Sequence, residues 1–403
     1  MTPATPDSDE LPQLDPADFS LVLGGPLFQL WRRSRLSDHE GKLPHRRAFA
    51  AVLLAWLPLL LLSVFEGHAW GAGVELVFFE DLELNARLLV ALPLLILAEL
   101  VVHRRMRLVA RQFLEDGLIP DAARAQFDRA IASAMRLRNS VGAELLLLLL
   151  VYGIGVFVVW RTRLTLDVSS WYGAVANGQL TLTLAGWWLA CVSLPLFQFL
   201  LLRWYFRLFI WARFLWQVSR IKLSLIPTHP DRCGGAGLPV AGARGLRAFL
   251  FAQGVLLAGM MADRIFFGGA TLLEFEVEIL GVVALMVCVI LGPLCVFSPQ
   301  LEAAENRGRR EYGTLAQRHA REFDQKWLRG GAATGELLLG SADIRSLADM
   351  GSSFEIVENM RWAPFTLKTV LHLAATTLLP VLPLTLTMFS AQQLIERLVH
   401  VLM

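Results

Sequence analysis

Long apolar runs alternate with polar, mostly basic segments along the chain. A helix needs about 20 apolar residues to cross a hydrocarbon core about 30 Å thick, and six runs reach or approach that length. They are residues 48–67, 84–102, 144–160, 181–202, 279–297 and 365–389. A further run, 248–273, carries Asp263 and Arg264 toward its far end. We therefore predict seven transmembrane helices, with six and eight as the alternatives.

The segments between the runs keep apolar residues at helical spacing, so they are predicted to be helical as well. The predicted fold is an all-α, polytopic transmembrane bundle with amphipathic helices on its cytoplasmic side. In chain order it comprises a cytoplasmic N-terminal segment with an interfacial helix (1–47), a first pair of spans (48–102), cytoplasmic helices (103–143), a second pair (144–202), an interfacial helix with a loop (203–247), a third pair (248–297), a cytoplasmic helical segment (298–364), and a Pro-broken last span followed by an amphipathic helix (365–403).

Composition and charge agree with a membrane location. Hydrophobic residues make up 55% of the 403 residues and charged residues 18%, against about a quarter in soluble domains. The net charge of +2 lacks the basic excess typical of nucleic-acid-binding proteins, so no nucleic-acid partner is predicted. Of the 37 Lys and Arg residues, 32 lie in segments 1–47, 103–143, 203–247 and 298–368. Because basic loops are retained in the cytoplasm, this bias places the N-terminus and the long loops there.

Charged residues inside the apolar runs are candidate functional groups, because each costs a few kcal/mol in hydrocarbon unless it is paired. Adjacent residues on a helix point about 100° apart, so Asp263 and Arg264 should find partners on other helices. We predict an ion pair between Asp263 and Arg87, and prefer a structural role for it to a transport site. Glu99 lies one turn before a basic cluster and is predicted to extend to the inner interface.

The last of the apolar runs contains the most polar residues. It carries His372, Thr376 and Thr377 ahead of Pro380 and Pro383. Each proline removes a backbone donor, and the freed carbonyl must be satisfied by a neighbour, a hydroxyl or water. Broken helices of this kind line substrate sites in transporters, but they also occur as kinks packed against other helices. The sequence leaves these two interpretations equal.

A polar loop, IPTHPDRCGGAG, holds a second candidate site. His229, Asp231 and Cys233 alternate around Arg232, which could bring an imidazole, a carboxylate and a thiol together. A metal site needs three or four convergent ligands, and the simpler interpretation is a Pro- and Gly-rich turn. The four Cys residues have no zinc-site spacing. No metal and no cofactor are predicted.

Residues 203–222 alternate basic and aromatic side chains. Such a helix at the headgroup level can bind anionic lipid, although Arg and Trp also serve as plain interfacial anchors. The lipid bilayer is therefore the main predicted partner, with anionic lipid at this helix as the specific hypothesis.

Four segments resemble an uncharacterised family of bacterial multipass inner-membrane proteins. They are FSLVLGGPLFQL (19–30), ALPLLILAELVVHRRM (91–106), HPDRCGG (229–235) and GSADIRSLAD (340–349), which together are spread over most of the chain. The resemblance implies a bacterial inner membrane location. It implies no catalytic residue.

Two classes of function fit these observations. The first is a small-solute or ion permease or channel that uses the Pro-broken last span and the region of Asp263 and Arg87. The second is a non-catalytic membrane scaffold or regulator that binds a partner through its cytoplasmic helices, with a homo-oligomer as an open alternative. A membrane enzyme built on His229, Asp231 and Cys233 ranks third, because the common nucleotide, metalloprotease and hydrolase motifs are missing from the sequence.

Overall fold

The structure, a computed structural model, confirms the all-α fold. It describes residues 20, 24, 44–70, 74, 76–155, 170–176, 179–237, 239–331, 337–338 and 341–388. The predicted N-terminal interfacial helix and the amphipathic helix after the last span lie outside the described residues, except where the first long helix begins at residue 44.

The described residues form fourteen α-helices and one small hairpin of two strands. The helices are α1 Pro44–Ala55, α2 Leu57–Phe65, α3 Leu82–Asn85, α4 Leu92–Glu115, α5 Arg124–Arg138, α6 Val141–Leu150, α7 Leu184–Trp188, α8 Leu194–Val218, α9 Pro239–Gly245, α10 Arg247–Phe266, α11 Glu276–Leu291, α12 Ser298–Phe323, α13 Ala342–Glu358 and α14 Leu367–Leu378. The strands β1 Gly173–Ala176 and β2 Gln179–Leu182 pair antiparallel.

Six continuous helical stretches of the described chain are long and apolar enough to cross a membrane. They are His45–Phe65, Leu82–Glu115, Leu184–Val218, Arg247–Phe266, Leu272–Leu328 and Leu367–Met388. The predicted third span is represented by a shorter apolar helix, Val141–Gly153. The rest of that predicted span runs into residues 156–169, which lie outside the described part of the chain.

Several helices continue beyond the ends of their apolar runs. The second stretch runs to Glu115 and the third to Val218, so the boundaries predicted at residues 102 and 202 fall inside helices. Hydropathy marks where a helix leaves an apolar environment, but backbone hydrogen bonding decides where it ends. Pro93 and Pro195 lie inside the second and third stretches, just after the π-helical segments Ala86–Ala91 and Leu189–Ser193, where the regular hydrogen-bond ladder of the helix is already interrupted.

The core of the bundle surrounds α10, which packs against α4 and α14. Phe249 of α10 is fully buried, and its ring lies 5.4 Å from that of Trp204 in α8. The indole N–H of Trp204 donates to the carbonyl of Leu95 in α4 at 3.0 Å. Aromatic packing and one buried hydrogen bond therefore hold three of the long helices in register.

The outer helices expose much of their apolar surface. In each of the first, fifth and sixth stretches, only 28% of the most apolar 18-residue segment is buried inside the protein. Large apolar side chains such as Leu61, Leu280 and Leu371 face outward. Exposed apolar surface on this scale is unfavourable in water. The six helices are compatible with an integral membrane protein.

One long helix extends far beyond the bundle. The stretch Leu272–Leu328 is 57 residues, or about 85 Å at 1.5 Å per residue, nearly three times the thickness of a hydrocarbon core. Its second half, α12, is polar, and α13 folds back along it. We call this hairpin, residues 298–358, the arm.

Candidate functional site

Asp231 organises the HPDRCGG loop. Its carboxylate accepts backbone N–H groups from Cys233 at 2.7 Å, Gly235 at 3.1 Å and Gly237 at 3.1 Å, and His229 Nδ1 lies 2.8 Å from Oδ1. Burial raises the pKa of this carboxyl, but these hydrogen bonds outweigh it, so the pKa lies below its ordinary value. Both oxygens are thus occupied by donors of the loop itself.

The thiol of Cys233 hydrogen-bonds to another segment of the chain and not to His229 or Asp231. It is fully buried and faces the carbonyl of Ala363 at 3.7 Å. Burial raises its pKa to about 11, so it stays protonated and weakly nucleophilic at neutral pH. The convergent ligand set considered from the sequence does not form, and no group of three potential metal ligands occurs among the described residues. The loop is a structural turn.

The loop is fastened to the segment that leads into the last long helix. The backbone N–H of Arg361 donates to the carbonyl of Arg232 at 2.8 Å, and its guanidinium donates to the carbonyl of Asp231. Within the loop, the N–H of Ile226 bonds to the carbonyl of Gly234 at 3.1 Å. Residues 130 positions apart in sequence therefore form one surface.

That surface encloses a cavity of about 410 Å³. Its wall combines the end of α4, the HPDRCGG loop, α9 and the start of α14. Three arginines line it, namely Arg232, Arg244 and Arg361, together with the hydroxyl-bearing Thr366 and Thr369. The cavity is the clearest candidate binding site in the described chain. Sequence reasoning found His229, Asp231 and Arg232 but missed Arg244 and Arg361, which no local motif marks.

The ion pair predicted between Asp263 and Arg87 is replaced by other contacts. Arg87 pairs with Glu83, one turn earlier on the same stretch. Asp263 accepts the backbone N–H groups of Leu82 at 2.8 Å and Glu83 at 3.1 Å, and so caps the first turn of α3 from another helix. A carboxylate at a helix N-terminus also interacts favourably with the helix dipole, which explains why these amides are its partners. Arg264 lies over the ring of Phe275 at 5.9 Å.

Glu99, which the sequence predicts to extend to the inner interface, has its carboxylate enclosed by arginines of other helices. It is buried and bonds to Arg207 at 2.7 Å and Arg47 at 3.1 Å. Beside it, Arg203 pairs with Glu144 at 3.4 Å. All five side chains are at most 10% exposed and join the first, second and third long stretches to α6. Two arginines neutralise Glu99 in place, which removes the reason for snorkelling.

The polar groups of the last long helix bond within their own helix. The hydroxyl of Thr376 donates to the carbonyl of His372 at 2.7 Å, and that of Thr377 to Leu373 at 3.1 Å. His372 Nδ1 bonds to the carbonyl of Lys368 at 2.6 Å. After Leu378 the chain continues as a tighter 3₁₀ helix, Leu379–Met388, which contains Pro380 and Pro383.

The kink packs directly against α10. A Cβ atom at Gly254 would overlap the carbonyl oxygen of Thr377 and touch the ring of Pro380, so the two backbones lie in contact here. Thr377 is fully buried in this contact. This close contact is compatible with the interpretation of the broken helix as a packed kink.

The helix expected at the headgroups, 203–222, is the continuation of α8. Arg203 and Arg207 face the buried cluster, which corrects the expectation that they lie among lipid headgroups. Further along, Arg220 lies over Trp216 at 5.0 Å. With Arg129 and Arg136 of α5 these residues line an open groove of about 490 Å³. The binding of anionic lipid stays a prediction, and this groove is where it would occur.

Comparison of the chain with protein-family models, with curated proteins and with solved structures finds no match.

Proposed function

We propose that the protein is a multipass protein of the bacterial inner membrane that acts as a non-catalytic scaffold or regulator, with its N-terminus and its arm in the cytoplasm. The observation that carries this proposal is the arm, a polar helical hairpin continuous with an apolar helix. Membrane insertion is supported by the outward apolar faces of the long helices, and the orientation by the basic bias of segments 1–47, 103–143, 203–247 and 298–368.

Contacts along the arm join its two helices. Near its tip, Asp343 of α13 accepts from Lys326 Nζ at 2.7 Å and from the indole N–H of Trp327 at 3.0 Å. Near its base, Arg309 of α12 donates to the carbonyl of Glu358 at 3.0 Å. Contacts at both ends hold the two helices in a single arrangement.

The tip of the arm presents apolar side chains to solvent. Leu328 is 72% exposed and Leu337 is 78% exposed. A strongly exposed apolar pair at the end of a largely polar hairpin is the composition of a protein-binding surface. These residues lie far from the apolar half of the same long helix, so lipid is not their expected contact.

A permease is the alternative, and the polar contacts favour it less. Transport through the last long helix would use polar groups that face across the bundle. Thr376 and Thr377 instead bond to carbonyls four residues earlier, and Asp263 caps a neighbouring helix. These contacts support a structural role for the residues on which the permease hypothesis rests.

Photocrosslinking from the arm tip tests the scaffold proposal. A photoreactive amino acid at position 329 should capture one protein partner in cells that carry this chain naturally. Replacing both Leu328 and Leu337 with Ser should lower the yield of that adduct at least about tenfold, because central apolar contacts carry most of the binding energy of an interface. The adduct is measured by immunoblotting of the membrane fraction.

A matched control carries Glu311→Ser and Glu322→Ser on the same helix and should keep the wild-type yield. An unchanged adduct in the Leu328→Ser, Leu337→Ser variant, or no adduct at all, would contradict the proposal. An adduct of twice the chain mass would identify a second copy and replace the separate partner with a homo-oligomer.

A further inference from the structure

We propose that the cavity at the HPDRCGG loop binds a phosphate group, carried either by a small soluble metabolite or by the headgroup of an anionic phospholipid. This inference is independent of the scaffold proposal, because it concerns the cavity and not the arm tip.

The charge of the cavity selects an anion. Arg232, Arg244 and Arg361 line it. The carboxylates on the wall are Asp231 and Asp116, and both oxygens of Asp231 already accept from the loop. Asp116, at the end of α4, is exposed and is the one acid on the wall that is not committed to the loop. Three guanidinium groups against two carboxylates leave the cavity with a net positive charge, which favours a phosphate over a cation.

The arginines keep donor capacity for a ligand. Arg361 donates to the carbonyl of Asp231, and its Nε has no partner among the described residues. Arg232 and Arg244 are exposed at the rim and form no ion pair within the described chain. A guanidinium carries five N–H donors in a planar fork that matches two oxygens of a phosphate.

The backbone of the cavity wall also favours an anion. The helix α14 begins at the cavity, where Thr366 caps its first turn by accepting the N–H of Thr369 at 3.3 Å. The positive end of the helix dipole thus faces the cavity. Arg232 has φ 56°, a left-handed conformation that a glycine adopts more easily, and no other non-glycine residue of the described chain has a positive φ. An arginine held there at a steric cost fits a role for its side chain.

The cavity is also tied to the base of the arm. Gln300 of α12 donates to the carbonyls of Ser219 at 2.6 Å and Ile221 at 2.8 Å, and Arg307 donates to the carbonyl of Leu225 at 3.2 Å. Gly308 packs against Pro227, where a Cβ atom would overlap the proline ring. A phosphate in the cavity would therefore lie beside the segment that the arm holds.

Two measurements distinguish a soluble phosphate from a lipid headgroup. The full-length protein, purified in an uncharged detergent, is melted in rising concentrations of inorganic phosphate or glycerol 3-phosphate at constant ionic strength. In parallel, the protein is reconstituted into vesicles of phosphatidylcholine and phosphatidic acid and is then extracted. Native mass spectrometry measures which lipid stays bound to it. A saturable rise of the melting temperature identifies a soluble phosphate, and retained phosphatidic acid identifies a lipid headgroup.

Variants assign the binding to this cavity. Arg232→Gly removes one guanidinium and suits the left-handed backbone, so this variant should fold. We expect Arg232→Gly and Arg361→Gln each to weaken the observed binding at least about tenfold, the loss of one charge-assisted hydrogen bond. Arg318→Gln, on the exposed surface of α12 and outside both the cavity and the open groove, is the matched control and should bind as the wild type does. The proposal is overturned if neither a soluble phosphate nor phosphatidic acid binds, or if Arg232→Gly binds as tightly as Arg318→Gln.

Discussion

The role of Asp231 in the structure differs from the role that its neighbours in sequence suggest. Its alternation with His229 and Cys233 is compatible with a metal site, but in the structure its carboxylate gathers three backbone amides. Gly234 and Gly235 allow the tight turn that brings the amides together, since both have a positive φ. A carboxylate used in this way shapes the loop.

The stability of the loop should depend on acid pH through Asp231. Its folded pKa lies below the unfolded value near 3.8, so its contribution is complete above that pH and is lost as the pH falls through the folded pKa. Asp231→Asn should lower the free energy of unfolding by about 1–3 kcal/mol at neutral pH. The variant should also lose stability less steeply than the wild type below pH 3.8. Melting temperatures measured from neutral pH downward test both statements.

Asp349→Asn is the control for this prediction, because Asp349 is exposed on α13. It should follow the wild-type curve. Equal melting temperatures for Asp231→Asn and Asp349→Asn throughout the range would show that the carboxylate of Asp231 does not hold the loop.

Glu99 illustrates a residue whose role no local pattern gives. The basic residues that follow it in sequence indicate an interfacial position. The structure places it between Arg47 and Arg207, 52 and 108 positions away. Removing water from a charge is costly unless the charge is paired and hydrogen-bonded. The cluster therefore constrains which helices can lie side by side, even where its net contribution to stability is small.

At the scale of helices, small residues decide how closely the elements approach. Gly254 lets α10 contact the backbone of the last long helix at Thr377, next to Pro380. The sequence alone gave equal weight to a substrate site and a packed kink at these prolines. The close approach of α10 favours a packed kink. The sequence of the last apolar run alone does not show which helix lies beside it.

Gly254→Val should be strongly destabilising, because the added side chain overlaps a backbone carbonyl that cannot move without the helix. Overpacking of this kind costs about 1–3 kcal/mol or more. Gly281→Val in α11 is the matched control, since nothing lies within 4 Å of a Cβ atom at that position. The yield of monodisperse protein and its melting temperature in detergent give the comparison. A Gly254→Val protein as stable as the Gly281→Val protein would mean that the two helices are not in contact there.

At the scale of the whole molecule, the cavity, the arm and the buried cluster are built from the ends of helices that the basic bias assigns to the cytoplasm. The cluster joins residues at the start of the first stretch and of α6 to residues in the later parts of the second and third stretches. Antiparallel helices bring such positions to one end of a bundle. The cavity, the base of the arm and the buried cluster are therefore expected at the same end of the bundle.

Reporter fusions should place these features in the cytoplasm. A green fluorescent protein fused after Gly331 should fluoresce. This reporter becomes fluorescent in the cytoplasm but not in the periplasm when the general secretion route exports it. Alkaline phosphatase fused after Gly269, in the turn that follows α10, should be active because this turn is predicted to face the periplasm. The opposite pattern, or a chain that stays in solution without detergent, would refute the proposed membrane arrangement.

The sequence by itself determined the all-α class and the approximate positions of the long helices, because hydropathy and helical periodicity are local properties of the chain. It also identified the HPDRCGG loop as a turn. Only the tertiary structure decided that Arg361 meets Asp231, that Glu99 meets Arg207, and that Asp263 caps α3. Those contacts join residues more than 100 positions apart, and which charge meets which depends on the packing of whole helices. A site built from several distant segments, such as this cavity, therefore becomes visible only once the helices are in place.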